Sequence, residues 1–170
     1  MSASKYNVYK VQYRLGTQDP FMQGTRYHTV VFVETDADGG GYVHHVIGDV
    51  VSAHGMTYER RPEPVPEQSD TFHGKVYLGS ISASKYPDVM EQVLRAIPTP
   101  PRQRVFNPST MAYEQCRPDG SLYGPHEVRP KYSKCTEWTE QRAIPVLYQH
   151  GLIQTNSVTT SSALPAQSSA

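Results

Sequence analysis

The chain has 170 residues, with 16 basic and 16 acidic side chains and no formal net charge at pH 7. This length predicts one domain with a sizeable core. Zero net charge gives no electrostatic reason to expect nucleic acid or an anionic membrane surface as a partner. No apolar run is long enough to span a membrane, and the first residues lack the apolar core of a secretory signal. We therefore expect a cytoplasmic protein.

The first half of the chain has the pattern of an antiparallel sheet. Residues 9–15 alternate apolar and polar side chains, the period of a half-buried strand. Residues 28–34 are mostly β-branched or aromatic, which favours a central strand. The glycines within 36–41 predict a tight turn, after which a partner strand returns. Strands are expected at 9–15, 28–34, 42–51, 56–60 and 75–80.

Two helices are expected in the second half. The first covers 87–97, has its apolar side chains on one face and ends before Pro98. The second begins near Cys135 and runs to about His150, and Pro145 inside it is expected to kink or shorten it.

Two segments show no regular period. Residues 98–132 contain seven prolines and are expected to form an irregular lid over the sheet, with a short strand near Val105 and Phe106. Residues 155–170 are rich in Ser, Thr, Ala and Gln and are expected to be disordered. The expected fold is α+β, an antiparallel sheet with two packed helices, in one domain at 1–154.

Cys135 stands in the first turn of the second predicted helix, and Ser133 is a candidate N-cap for that helix. Unpaired N–H groups and the positive end of the helix dipole favour the thiolate there. Because the thiolate is the nucleophilic form, this position predicts covalent catalysis. The alternative is a small buried hydrophobe, the usual role of a free cysteine. A disulfide with Cys116 is disfavoured because no export signal accompanies it.

A histidine is the base that a cysteine nucleophile needs. His28 opens the most hydrophobic predicted strand and lies, by alternation, on the face of Val30 and Phe32. His44 and His45 are on the partner strand and point to opposite faces, so only one of them can orient His28. The residues alone leave open which one. A zinc site is an alternative use of these histidines, but the metal-binding spacings that would support it are absent.

Aromatic side chains of the late segments are candidate substrate contacts. We expect Tyr113, Tyr123 and Tyr132 of the 98–132 segment, together with Trp138 one turn after Cys135, to line a small-molecule pocket. The alternative is that they pack in the core or over the sheet. No cofactor and no resident metal ion are expected.

The order of these parts resembles a known superfamily. The strand that begins with His28, the strand Gly41-Tyr-Val-His-His-Val-Ile-Gly48 and the helix opening Lys134-Cys-Thr-Glu-Trp138 are similar to the circularly permuted, papain-like branch of the NlpC/P60 superfamily. That branch includes the lecithin:retinol acyltransferase-like and PPPDE proteins. More narrowly, the chain resembles small, mostly uncharacterised fungal members over roughly residues 7 to 153.

The resemblance implies Cys135 as nucleophile, His28 as general base and His45 as the residue that orients His28. The chain departs from the motif at Lys134, where an asparagine is common. The resemblance also implies an enzyme that acts on an acyl or amide group of a small molecule. The reaction would be hydrolysis, transfer or cyclisation, as in the tailoring of a fungal secondary metabolite. The alternatives are a non-covalent cyclase or isomerase that uses His and Tyr as acid–base groups, and an inactive binding module on the same fold.

Overall fold

A five-stranded antiparallel sheet forms the centre of the molecule. The structure is a computed structural model and describes residues 2–156. Its strand order is β4-β3-β2-β1-β5. The strands are β1 (Lys5–Arg14), β2 (Tyr27–Glu34), β3 (Gly41–Ile47), β4 (Thr57–Glu63) and β5 (Phe72–Ser82). The α+β class with an antiparallel sheet and two helical segments is confirmed.

β1, β4 and β5 are each longer than the sequence pattern predicts. β1 begins at Lys5 because its first two residues pair with the end of β5, which itself extends over Phe72–Ser82. β4 continues to Glu63, although Pro62 lacks an N–H group to donate. Because β4 is an edge strand, a proline is tolerated there. The predicted loop at 61–66 therefore begins three residues too early.

The helices pack on one face of the sheet. Helix α1 (Asp88–Arg95) buries Met90 and Leu94. The second helical segment starts as α2 (Cys135–Trp138), passes through a π-helical turn (Thr139–Ala143) and continues as α3 (Ile144–Gln149). Of the two expected effects of Pro145, a kink or a shorter helix, the helix is not shortened, since it continues to Gln149. The π-turn shifts the hydrogen-bond ladder just before Pro145, whose missing N–H would otherwise interrupt it.

Both faces of the sheet are buried. The helix-facing side forms the main core, where Val31, Val33 and Ile81 pack with Leu94 and Trp138. The opposite side has a smaller cluster built from Val11, Tyr13, Val30, Phe32 and Val43. This explains why β2 is apolar on both faces, as expected of a central strand.

The segment after α1 forms a hairpin and otherwise irregular chain. β6 (Arg104–Asn107) pairs with β7 (Ala112–Gln115), and both lie apart from the main sheet. The short strand expected near Val105 and Phe106 is present. Most of the predicted disordered tail, 157–170, lies outside the described residues.

The sheet opens between β2 and β3. These strands pair only from Val31 opposite His44 to Glu34 opposite Gly41. Residues 27–30 of β2 and 45–47 of β3 therefore lie side by side without pairing. The resulting gap at the end of the sheet lies next to the start of α2, since α2 contacts both strands.

His44 is fully buried in the core between two tyrosines. Its Nδ1 lies 2.6 Å from the Tyr58 hydroxyl and its Nε2 lies 2.9 Å from the Tyr86 hydroxyl. Burial, reinforced by the nearby charge of Arg60, lowers the pKa of His44 to about 3. The ring is therefore neutral in the folded protein at neutral pH.

This burial predicts a loss of stability in mild acid. Below its ordinary pKa of about 6.5, His44 takes up a proton in the unfolded chain but not in the folded one. The free energy of unfolding therefore decreases as the pH is lowered from about 6.5 toward the folded-state pKa. His44 alone should lower the free energy of unfolding by about 2 kcal/mol between about pH 6.5 and pH 5. Urea unfolding of the wild type and of His44→Gln checks this, and equal losses in both proteins would contradict it.

Candidate active site

A cavity of about 560 Å³ lies where β2 and β3 separate. Its walls come from the loop after β1, the start of β2, the end of β3 and the start of α2. Both His28 and Cys135 line it. His28 projects on the face away from the helices, where it also lines a second cavity of about 280 Å³ with Tyr13, Val30 and Val43. The structure thus brings the two predicted catalytic residues to one cavity.

Cys135 is the first residue of α2 and is 9% exposed. Its Sγ lies 3.7 Å from the carbonyl oxygen of Tyr27. This oxygen belongs to the peptide bond between Tyr27 and His28, so the thiol lies against the peptide that carries the imidazole. Among residues 2–156, no acceptor is hydrogen-bonded to the backbone N–H of Cys135 or of Thr136. These two groups are available to an oxyanion.

Threonine hydroxyls fix the start of the helix on β2. Thr136 Oγ1 lies 2.9 Å from Thr29 Oγ1 and 3.2 Å from the Tyr27 carbonyl oxygen. One turn later, the Thr139 hydroxyl donates to the Thr29 carbonyl oxygen at 3.0 Å. Because three contacts hold the helix to the first residues of β2, the position of Cys135 relative to His28 is well determined.

The N-cap is Lys134 and not Ser133 as expected. The Glu137 carboxylate accepts the Lys134 backbone N–H at 3.1 Å and so supplies one half of a capping box. Ser133 is instead held by Gln103, which accepts its N–H and donates to its carbonyl oxygen, both at 2.7 Å. Gln103 was missed because its role depends on a contact 30 residues along the chain.

Asp19 organises the charges beside the thiol. Lys134 Nζ lies 2.6 Å and Arg104 Nη2 lies 3.0 Å from the same Asp19 oxygen. Burial alone would raise the pKa of Asp19, but hydrogen bonds from Lys134, the Phe21 N–H and Arg104 lower it to about 2. Two cations thus share one carboxylate, which leaves a net positive charge at this end of the cavity. Arg26 is paired with Glu137 at 2.7 Å.

A chain of hydrogen bonds extends from His28 to a carboxylate. His28 Nε2 lies 2.8 Å from His45 Nδ1, and His45 Nε2 lies 2.9 Å from Glu59 Oε2. His44 points to the other face of β3. Of the two histidines that the residues left open, His45 is therefore the one that contacts His28. Glu59 was missed, although it lies directly opposite His45 in the β3–β4 register.

His28 and His45, the two histidines in this series of hydrogen bonds, are both neutral at neutral pH. Burial, followed by the charges of His45 and Arg61, lowers the pKa of His28 to about 4. Burial also lowers the pKa of His45, against the opposing effect of Glu59. A neutral imidazole can accept a proton, which is the requirement for a general base.

The thiol and the imidazole share the cavity without a mutual hydrogen bond. Within the described part of the chain, the Cys135 thiol donates a hydrogen bond to the Tyr27 carbonyl oxygen, and His28 Nδ1 has no hydrogen-bond partner. Catalytic hydrogen bonds are often long before substrate binds. The cavity is therefore lined by one buried thiol and by one imidazole whose Nδ1 has no hydrogen-bond partner within residues 2–156.

The four predicted substrate contacts lie away from the cavity walls. Trp138 is 1% exposed and packs against Tyr58 in the core. Tyr113 packs on Phe106 within the β6–β7 hairpin. Tyr123 lines a separate small cavity of about 210 Å³. Tyr132 meets Phe21 edge to face, with the ring centroids 6.4 Å apart. Of the segment 98–132, Arg104 alone lines the main cavity.

No group of three or more His, Cys, Asp or Glu side chains among residues 2–156 is arranged to hold a metal ion. None of the helices described is long and apolar enough to cross a membrane. Cys116 and Cys135 are both free thiols.

Comparison with known proteins gives one match. Residues 8–154 match the sequence model of a family of unknown function, DUF6540. No curated protein and no solved structure matches the chain. The matched range includes every residue of the site described above.

Proposed function

We propose that this protein is a cysteine-dependent enzyme that acts on an acyl or amide group of a small molecule. The chain belongs to the DUF6540 family of unknown function, so the proposal is based on the site in this chain. The observation that carries the proposal is that Cys135 and His28 line one cavity, with His28 held by His45 and its Nδ1 free. The cavity volume of about 560 Å³ is in the range of small-molecule sites.

The residues suggest the following chemistry. His28 Nδ1 takes the thiol proton, Sγ forms a bond to the substrate carbonyl carbon, and the N–H groups of Cys135 and Thr136 bind the oxyanion. The bond to the leaving group then breaks, and the leaving group takes the proton from His28. Water or an amine, deprotonated by His28, resolves the thioester and restores the thiol.

We also propose that the chain is a member of the permuted, papain-like NlpC/P60 superfamily, and the arrangement of the site supports this. A histidine on one strand, a second histidine on the next and a cysteine opening a later helix occur here in the order that the resemblance implies. The two free thiols support the expected cytoplasmic location, since cytosolic cysteines are kept reduced.

An ester probe tests the proposal without knowledge of the natural substrate. With p-nitrophenyl acetate, the wild type should release p-nitrophenolate in a burst, followed by slower turnover. Cys135→Ala should abolish the burst, and His28→Ala should slow turnover by at least about 100-fold, the usual contribution of a general base. Cys116→Ala, which removes the other buried thiol, is the matched control and should behave as the wild type.

One observation favours a second candidate function. His28 contacts His45 and not the thiol, so it can move protons without a covalent intermediate, as in a cyclase or isomerase. In that case Cys135→Ala would keep the activity while His28→Ala would remove it. An inactive binding module would give no burst in any variant.

A further inference from the structure

When both imidazoles are neutral, the hydrogen bonds from His28 to Glu59 can be satisfied in one proton arrangement only. A carboxylate accepts hydrogen bonds and does not donate them. His45 Nε2, 2.9 Å from Glu59 Oε2, must therefore be protonated. A neutral imidazole carries one ring proton, so His45 Nδ1 is bare and accepts. The proton of the 2.8 Å contact to His28 then belongs to His28 Nε2.

We infer that Glu59 is a positioning residue: through His45, it holds the proton of the His28 ring on Nε2 and leaves Nδ1 as the free base. This inference rests on the proposed function for the task of that free nitrogen. It assigns to Glu59 a role that neither the sequence pattern nor the family match supplies. Glu59 acts through two imidazoles, without touching the cavity itself.

The surroundings of the relay, the hydrogen-bonded series His28–His45–Glu59, favour this proton arrangement. His45 is 1% exposed, so water does not compete for its nitrogens, whereas the Glu59 side chain is 36% exposed. The other charged groups that face the two histidines are Arg61 and Glu63, also on β4. Glu63 accepts from the Tyr13 hydroxyl at 3.3 Å, and neither residue hydrogen-bonds to a histidine ring. The relay therefore has one acceptor at its outer end.

The relay also gives the catalytic proton a balanced location. When His28 Nδ1 takes the proton of the thiol, its Nε2–H can shift to His45 Nδ1 as the positive charge moves toward Glu59. No atom is lost and no co-reactant is required. The charge pair formed in this way is His45 with Glu59, separated by the same 2.9 Å contact. The proton returns along the same bonds when the leaving group departs.

The first measurement is the tautomeric state of the wild type. Nitrogen-15 NMR of histidine-labelled protein at neutral pH distinguishes protonated from bare ring nitrogens. We expect His28 and His45 each to carry the proton on Nε2. A proton on His28 Nδ1 would overturn the inference, whatever the reactivity of Cys135.

The second measurement reverses the outer end of the relay. In Glu59→Lys the ammonium group can only donate, so His45 must accept on Nε2 and donate from Nδ1. His28 then accepts on Nε2 and carries its proton on Nδ1, where it no longer acts as a base. Alkylation of Cys135 by iodoacetamide at about pH 6 should fall about tenfold. Direct electrostatics predicts the opposite sign, because an added cation favours the thiolate.

Thr57→Lys is the matched control for the added cation. Thr57 is exposed and lies two residues before Glu59 on the same strand and face, opposite Ile47 and not His45. This variant should keep the wild-type tautomers and an alkylation rate within about twofold. An unchanged or faster rate in Glu59→Lys would refute the relay. If Cys135 were inert in the wild type while the tautomers were as expected, the proposed function would fail and the proton arrangement would stand.

Discussion

Replacing His28 by alanine should slow the alkylation of Cys135 by iodoacetamide about tenfold at about pH 6. An ordinary thiol is almost entirely protonated at that pH, so its reaction depends on a base that accepts the proton. Under the proposed function, His28, which lines the same cavity, supplies that base. Mass spectrometry of the Cys135 peptide over time gives the rate.

His73→Ala is the control for this experiment. His73 stacks on Tyr27 at 3.9 Å between ring centroids, next to the site, but it does not line the main cavity. Its removal disturbs the same part of β2 without removing the base, and the rate should stay within about twofold of the wild type. Equal slowing in both variants would mean that local packing, and not His28, governs the thiol.

Trp138→Ala should lower the free energy of unfolding by about 3–5 kcal/mol, the usual cost of truncating a large buried aromatic side chain. Trp138 is 1% exposed and packs 6.0 Å from the Tyr58 ring centroid. It also joins the helix that carries Cys135 to the main core. Urea unfolding measures the change directly.

Trp138→Phe is the matched variant. The indole Nε1 is buried and has no hydrogen-bond partner among the described residues. Phenylalanine keeps an aromatic ring while removing that unsatisfied donor, so part of the lost packing is offset. The cost should be less than half that of Trp138→Ala. A Trp138→Ala protein that lost less than about 1 kcal/mol would contradict the position of Trp138 in the core.

The sequence was informative where one residue's neighbours determine its structure. Alternation located the strands, the glycines located the hairpin turn, and the position of Cys135 at the start of a helix is a local property. The pattern was less informative at element ends. β1 extends to Lys5 because its first two residues pair with β5, and the helix continues past Pro145 because a π-turn precedes it.

The supporting residues of the site could not be predicted because their contacts are distant in the chain. Asp19 and Lys134 are separated by 115 positions, and Gln103 and Ser133 by 30. Glu59 follows from the β3–β4 register, which depends on the irregular loop between these strands. The pattern did show that His44 and His45 point to opposite faces, but only the β2–β3 register, with Val31 opposite His44, determines which of them shares the face of His28.

The central claim is that Cys135 is a nucleophile activated by His28. The most direct measurement is the location of the acetyl group after reaction with p-nitrophenyl acetate and an acid quench during the burst. We expect a thioester on Cys135 in the wild type, with little or none in His28→Ala. Acetyl groups found only on lysines or tyrosines, at equal levels in the wild type and in Cys135→Ala, would contradict it.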